Sequence, residues 1–87
     1  MFLHVERFDL LGRYRLRIHF TNGEEHVVDL EHELEGEVFE ALRDQQYFAS
    51  ARLNPDTGTV EWPNGADFAP EFLYELATRG SAVPNPR

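Results

Sequence analysis

The chain predicts an α+β fold: a small mixed or antiparallel sheet of about five strands, arranged as a three-stranded meander, a helix, a β-hairpin and a C-terminal helix. Three observations carry this. Residues 13–20, RYRLRIHF, alternate apolar and basic without a break. The segments TNG at 21–23 and NPDTG at 54–58 each separate two β-rich runs, and PEFLYELAT at 70–78 repeats its apolar residues at helical spacing.

Taken in order, FLHVERFDL is β-like with a blurred alternation, and Gly12 marks the turn that follows it. The next strand puts Tyr14, Leu16, Ile18 and Phe20 on one face and Arg13, Arg15, Arg17 and His19 on the other. Its connection to EEHVVDL decides the register. A two-residue Asn22-Gly23 turn would set Phe20 against Glu25 and Leu16 against Asp29. A three-residue loop, Thr21 to Gly23 with Gly23 left-handed, instead sets Leu16 against Val28, Tyr14 against Leu30, and Ile18 against His26. On the outer face it aligns Arg15 with Asp29 and His19 with Glu25. The second arrangement matches apolar with apolar and charge with opposite charge, so it is the one expected.

From Glu31 to Asp44 the chain turns acidic, and Leu34, Val38, Phe39 and Leu42 predict a short amphipathic helix covering at least 37–43. Tyr47 and Phe48 then return the chain to the sheet. A second hairpin is expected, with strands at 49–53 and 59–62 around the Pro-Asp-Gly turn. The last helix begins at Pro70 and runs to about Thr78, with Gly80 as its stop. Residues 1–80 thus form a single α+β domain, and 81–87 a flexible tail.

WPNGAD at 62–67 falls where the last strand must become the last helix. Trp62 anchors the strand end, Pro63 stops the ladder, Asn64-Gly65 permits a left-handed turn, and Asp67 is placed to cap the helix that follows. The same loop presents Asn64, Asp67 and Glu71 as candidate partner-binding groups.

Composition narrows the function. The net charge is −8, divided as +2 over residues 1–20, −8 over 21–48 and −2 over 49–87. An acidic surface repels phosphate backbones, so direct nucleic-acid binding is not expected unless the Arg13, Arg15 and Arg17 face acts alone. That face can instead pair with Asp29 and Glu31. With no cysteine among the 87 residues, disulfides, thiolate metal sites and cysteine nucleophiles are excluded. His4, His19, His26 and His32 show no ligand spacing. Ser50 and Ser81 lack a nucleophile turn, and there is no phosphate-binding loop. No metal, cofactor or enzymatic activity is expected. Charged residues Glu6, Arg7 and Asp9 break any leader-like apolar run, and no membrane-length apolar stretch occurs, so a cytoplasmic location is expected. The acidic run at Glu31, Glu33, Glu35, Glu37 and Glu40 reads as a solvated face, and Glu33, Glu35 and Glu37 join the candidate surface for a basic partner. Exposed strand edges leave homodimerisation open.

FTNGEEHVVDL, VFEALRD and WPNGADFAPEFLY together resemble a family of small bacterial proteins, the domain of unknown function 2442 family. The positions that carry the resemblance are Gly23, Asp29, Trp62, Pro63, Gly65, Pro70 and Tyr74. What it implies is an α+β domain without an established biochemical activity and without catalytic residues to transfer. Some relatives continue into a helix-turn-helix domain, and some are encoded beside another small protein, which implies a toxin–antitoxin pairing. This sequence ends soon after Tyr74, so no DNA-binding appendage and no operator-binding role are expected of it. The expectation is a non-catalytic protein-interaction module, antitoxin-like, for a small basic neighbour. The alternative is a regulatory or nucleic-acid-associated module using the arginine face.

Overall fold

The structure, a computed structural model, describes residues 3–82, with side chains described as far as Arg79. Strands β1 (Val5–Gly12), β2 (Arg15–Phe20) and β3 (Glu25–Asp29) form an antiparallel meander. Between β2 and β3 the register is Leu16 with Val28, Ile18 with His26, Arg15 with Asp29 and His19 with Glu25, as the three-residue loop requires. Phe20 N–H donates to the Glu24 carbonyl at 2.8 Å and Gly23 N–H to the Phe20 carbonyl at 3.0 Å. Gly23, at φ +91°, accepts a conformation that a side chain would strain. The blurred alternation of β1 has a physical cause in two register shifts, between Val5 and Arg7 and between Leu10 and Gly12.

The segment expected as one helix over 37–43 is helical throughout and tightens at its end. Helix α1 is Glu37–Glu40, a 3-10 turn covers Ala41–Arg43, and a further helix, α2, occupies Gln45–Phe48. Asp44 separates that turn from α2: it leaves the helical region at ψ 118°, and its carboxylate accepts the Gln46 N–H at 2.9 Å. Asp44, just past the expected helix, is the N-cap of the next one. Because α2 takes the chain through Phe48, the strand expected at 49–53 starts later, as β4 (Arg52–Asn54), paired with β5 (Thr59–Glu61).

The five strands therefore lie in two sheets, β1-β2-β3 and β4-β5. The two meet where Val5 N–H donates to the Gly58 carbonyl at 2.8 Å. Helix α3 spans Pro70–Ala82 and runs past Gly80, which does not stop it. Glycine interrupts a helix only weakly. The tail expected from residue 81 lies, from 83 onward, outside the described residues.

One core joins the pieces. Leu16, Ile18 and Phe20 from β2, Val28 from β3, Trp62 after β5 and Leu73 from α3 are all at most 1% exposed. Phe48, seated by α2, packs on Trp62 with ring centroids 5.4 Å apart and receives the Trp62 indole N–H on its carbonyl at 2.8 Å. No helix among the described residues is long and apolar enough to cross a membrane.

Candidate interaction surface

The Trp62–Asp67 loop is built from its own hydrogen bonds. Gly65 N–H donates to the Trp62 carbonyl at 2.9 Å, and Trp62 N–H donates to the Ala66 carbonyl at 2.9 Å. Asn64 works in two directions: its Oδ1 accepts the Ala66 N–H at 3.0 Å, and its Nδ2 donates to the Val38 carbonyl at 2.9 Å. The second bond crosses to α1, which touches the same region again where Phe39 stacks on Phe68 at 4.8 Å. Thr59, buried in β5, donates its hydroxyl to the Phe68 carbonyl at 2.6 Å and fixes the far side of the loop.

The structure thereby joins two groups of residues that the sequence kept apart. Asn64 is bound to the backbone between Glu37 and Phe39, beside Glu35 and Glu37, while Val38 itself is 48% exposed. Asp67 is exposed and pairs through its backbone with Glu61 in an isolated bridge, but its carboxylate makes no hydrogen bond to the start of α3. The capping role expected of Asp67 is therefore not realised. Pro70 needs no N–H acceptor, and the first backbone bond of the helix, Leu73 N–H to the Ala69 carbonyl at 3.0 Å, begins beyond Asp67's reach. Glu71 stands exposed in the first turn of α3, and Glu33 is half-buried in a 3-10 turn over Glu31–Glu33.

Charge is distributed unequally between the two faces singled out. Arg17 lies 3.2 Å from Glu25 and 3.9 Å from Asp9, and Arg13 lies 3.6 Å from Glu31. Arg13 has left the strand for the β1–β2 turn, at φ +52°. His19 sits between carboxylates, with Nδ1 3.4 Å from Glu25 and Nε2 3.5 Å from Asp9. The buried Nε2 makes no true hydrogen bond, so the approach to Asp9 is a loose one. By contrast Glu33, Glu35, Glu37 and Glu40 have no ion pair among the described residues.

Sequence reasoning missed one cluster. Tyr74 of α3 donates its hydroxyl to Glu24, 2.9 and 3.0 Å from the two carboxylate oxygens, and His26 Nε2 lies 2.7 Å from Glu24 Oε1. The Tyr74 ring also meets Phe20 edge-on at 5.2 Å. The hydrogen bond from His26, then that from Tyr74, lowers the Glu24 pKa; the bond to Glu24 raises the Tyr74 pKa. The lowered carboxylate stays ionised as the acceptor and the raised phenol stays protonated as the donor, which is how a structural clasp is held. The only signal in the sequence was Tyr74 itself, and its partner lies fifty residues away. Among the described residues no three His, Asp or Glu side chains are grouped to hold a metal ion.

No curated protein sequence matches the chain at a significant level. Among solved structures it is similar to the crystal structure of the putative DNA binding protein NE0471 from Nitrosomonas europaea ATCC 19718, with a TM-score of 0.81 and 26% identity. The similarity covers 92% of this chain and 52% of that one, so the chain spans about half the length of that protein. A family profile matches residues 5–79, which take in the meander, the interlocked loop and α3 as far as Arg79. By that match the chain belongs to a family of proteins of unknown function, DUF2442.

Proposed function

We propose that the chain is a non-catalytic protein-interaction module of the cytoplasm that presents an acidic surface to a small basic protein, in the manner of an antitoxin. The observation that carries this is the interlock of Asn64 with the Val38 carbonyl, which fixes unpaired Glu35 and Glu37 and the exposed Val38 beside the Trp62–Asp67 loop. A prefixed surface loses little conformational entropy on binding, and an apolar group within a charged rim is how protein interfaces are built. The test is capture of the partner from nuclease-treated host lysate, followed by affinity measurement for the variant E33K/E35K/E37K and for R15E. Equimolar capture of one basic protein, weakened at least tenfold by the glutamate reversals and not by R15E, is expected. Recovery of the chain alone, or binding indifferent to the reversals, overturns the proposal.

A second reading, a nucleic-acid-associated module using Arg13, Arg15 and Arg17, is favoured by the name of the Nitrosomonas protein. Against it, Arg13 and Arg17 already face carboxylates. A gel shift with duplex DNA that vanishes steeply with salt and is lost in R15E would establish it.

A further inference from the structure

The outer edge of β3 is open. At one end of the β2–β3 ladder Phe20 N–H bonds the Glu24 carbonyl, and at the other Leu30 N–H bonds the Tyr14 carbonyl. In an antiparallel ladder the residues facing the neighbour alternate with those facing away. His26 and Val28 therefore bond to β2, while the N–H and C=O groups of Glu25, Val27 and Asp29 point out of the sheet, and no other backbone among the described residues bonds them. Helix α3 reaches β3 from the inner face, through Tyr74 on Phe20 and His26. Val27, on the outer face, is 49% exposed.

We infer that this edge accepts an extended basic segment of a protein partner as an added strand, its backbone continuing the sheet and its side chains alternating around an apolar residue opposite Val27. Charge across the outer face selects this occupant. Arg15, Arg17 and His19 of β2 lie beside Asp29, Val27 and Glu25 of β3. A fourth strand with arginine or lysine opposite Glu25 and Asp29 would give each carboxylate a cation on both sides. A second copy of the chain does not fit: antiparallel pairing about Val27 sets Glu25 against the Asp29 of the other copy, twice, and like charges directly opposite disfavour the pair. Main-chain bonds would supply the affinity and the alternating side chains the specificity. The inference rests on the interaction-module reading and adds the partner's conformation.

The probe is a synthetic acetylated peptide, Arg-Thr-Val-Thr-Arg extended by one threonine at each end, titrated into the isotope-labelled full chain, with the same peptide carrying glutamate for arginine as control. Amide shifts and slowed hydrogen exchange centred on Glu25, Val27 and Asp29, with the arginine peptide alone, are expected. V27P removes an outward N–H that the native ladder does not use and should abolish the effect. E25Q/D29N keeps every backbone group and should weaken the peptide at least tenfold, so the test survives if the proline variant fails to fold. Shifts confined to Glu33–Glu37, no shift at millimolar peptide, or protection of the edge by concentration-dependent self-association would each overturn the inference. Undiminished capture of the host partner by folded V27P would overturn the edge while leaving the interaction module standing.

Discussion

Replacing Asn64 with alanine should destabilise the chain by about 1–2 kcal/mol, whereas replacing Asp67 should cost less than about 0.5 kcal/mol. Asn64 loses two hydrogen bonds. The one to the Val38 carbonyl is exposed, so water can replace it and its loss costs about 0.5 kcal/mol; the one from the half-buried Ala66 N–H is harder to replace and costs about 1 kcal/mol. N64D keeps the Ala66 bond and sets a carboxylate against the Val38 carbonyl, so it should cost about 1 kcal/mol. Asp67 has no side-chain bond to lose. In a domain of this length each kcal/mol moves Tm by roughly 4–8 °C, so calorimetry or urea unfolding resolves the three variants. Equal destabilisation by N64A and D67A would refute the reasoning, because it would mean that Asp67 caps α3 after all.

Four other outcomes follow from the geometry. W62F keeps most of the ring but takes the indole N–H from the Phe48 carbonyl, leaving it the longer bond from Ala51 N–H at 3.3 Å, and should cost about 2 kcal/mol by urea denaturation. G58A should cost about 2 kcal/mol or more by the same assay, since Gly58 stands at φ +71° and a Cβ there would lie 2.6 Å from the His4 ring. Stability from Glu24 should be fully present above its ordinary pKa of 4.5 and be lost as pH falls through its lower folded value, because its folded pKa is lowered by His26 and Tyr74. Urea midpoints measured from pH 3 to 7 should therefore show a steeper acid limb for the wild type than for E24Q. Tyr74 has the opposite sign: its contribution is intact below 10.0 and lost as pH rises through the raised folded value, which Y74F should remove.

What the sequence made legible was whatever depends on neighbours in the chain. The β2–β3 register could be read because a one-residue slip would have buried Asp29 and exposed Val28, and only one loop length avoided that. Asp44 was not read as a cap for a related reason: the short helix α2 was not expected, and a capping role depends on where the next turn starts. Asp67 fails the other way: its spacing before Pro70 fits a cap, but the bridge to Glu61 directs the backbone elsewhere. At the candidate surface the residue types were visible and their partners were not. Nothing in WPNG announces that Asn64 holds the carbonyl of Val38, because a bond spanning 26 residues leaves no periodic trace.

The same long-range bonds explain why the two proposed contact regions can act independently. Asn64 and Phe68 hold α1 from the last loop, while Tyr74 holds the β2–β3 turn through Glu24, four residues into the helix that the loop introduces. Loss of the Asn64 bond loosens the acidic strip, which Phe39 on Phe68 still tethers, and leaves β3 clasped by α3; loss of the Tyr74 bond loosens the hairpin but leaves α1 in place. A mutation that disturbs partner binding through N64A and spares the β3 amides therefore assigns the contact to the strip, and Y74F with the reverse pattern assigns it to the strand edge. Coupled loss in both variants would mean that the strip and the edge contact one continuous partner segment, because the two anchors share only the core beneath them.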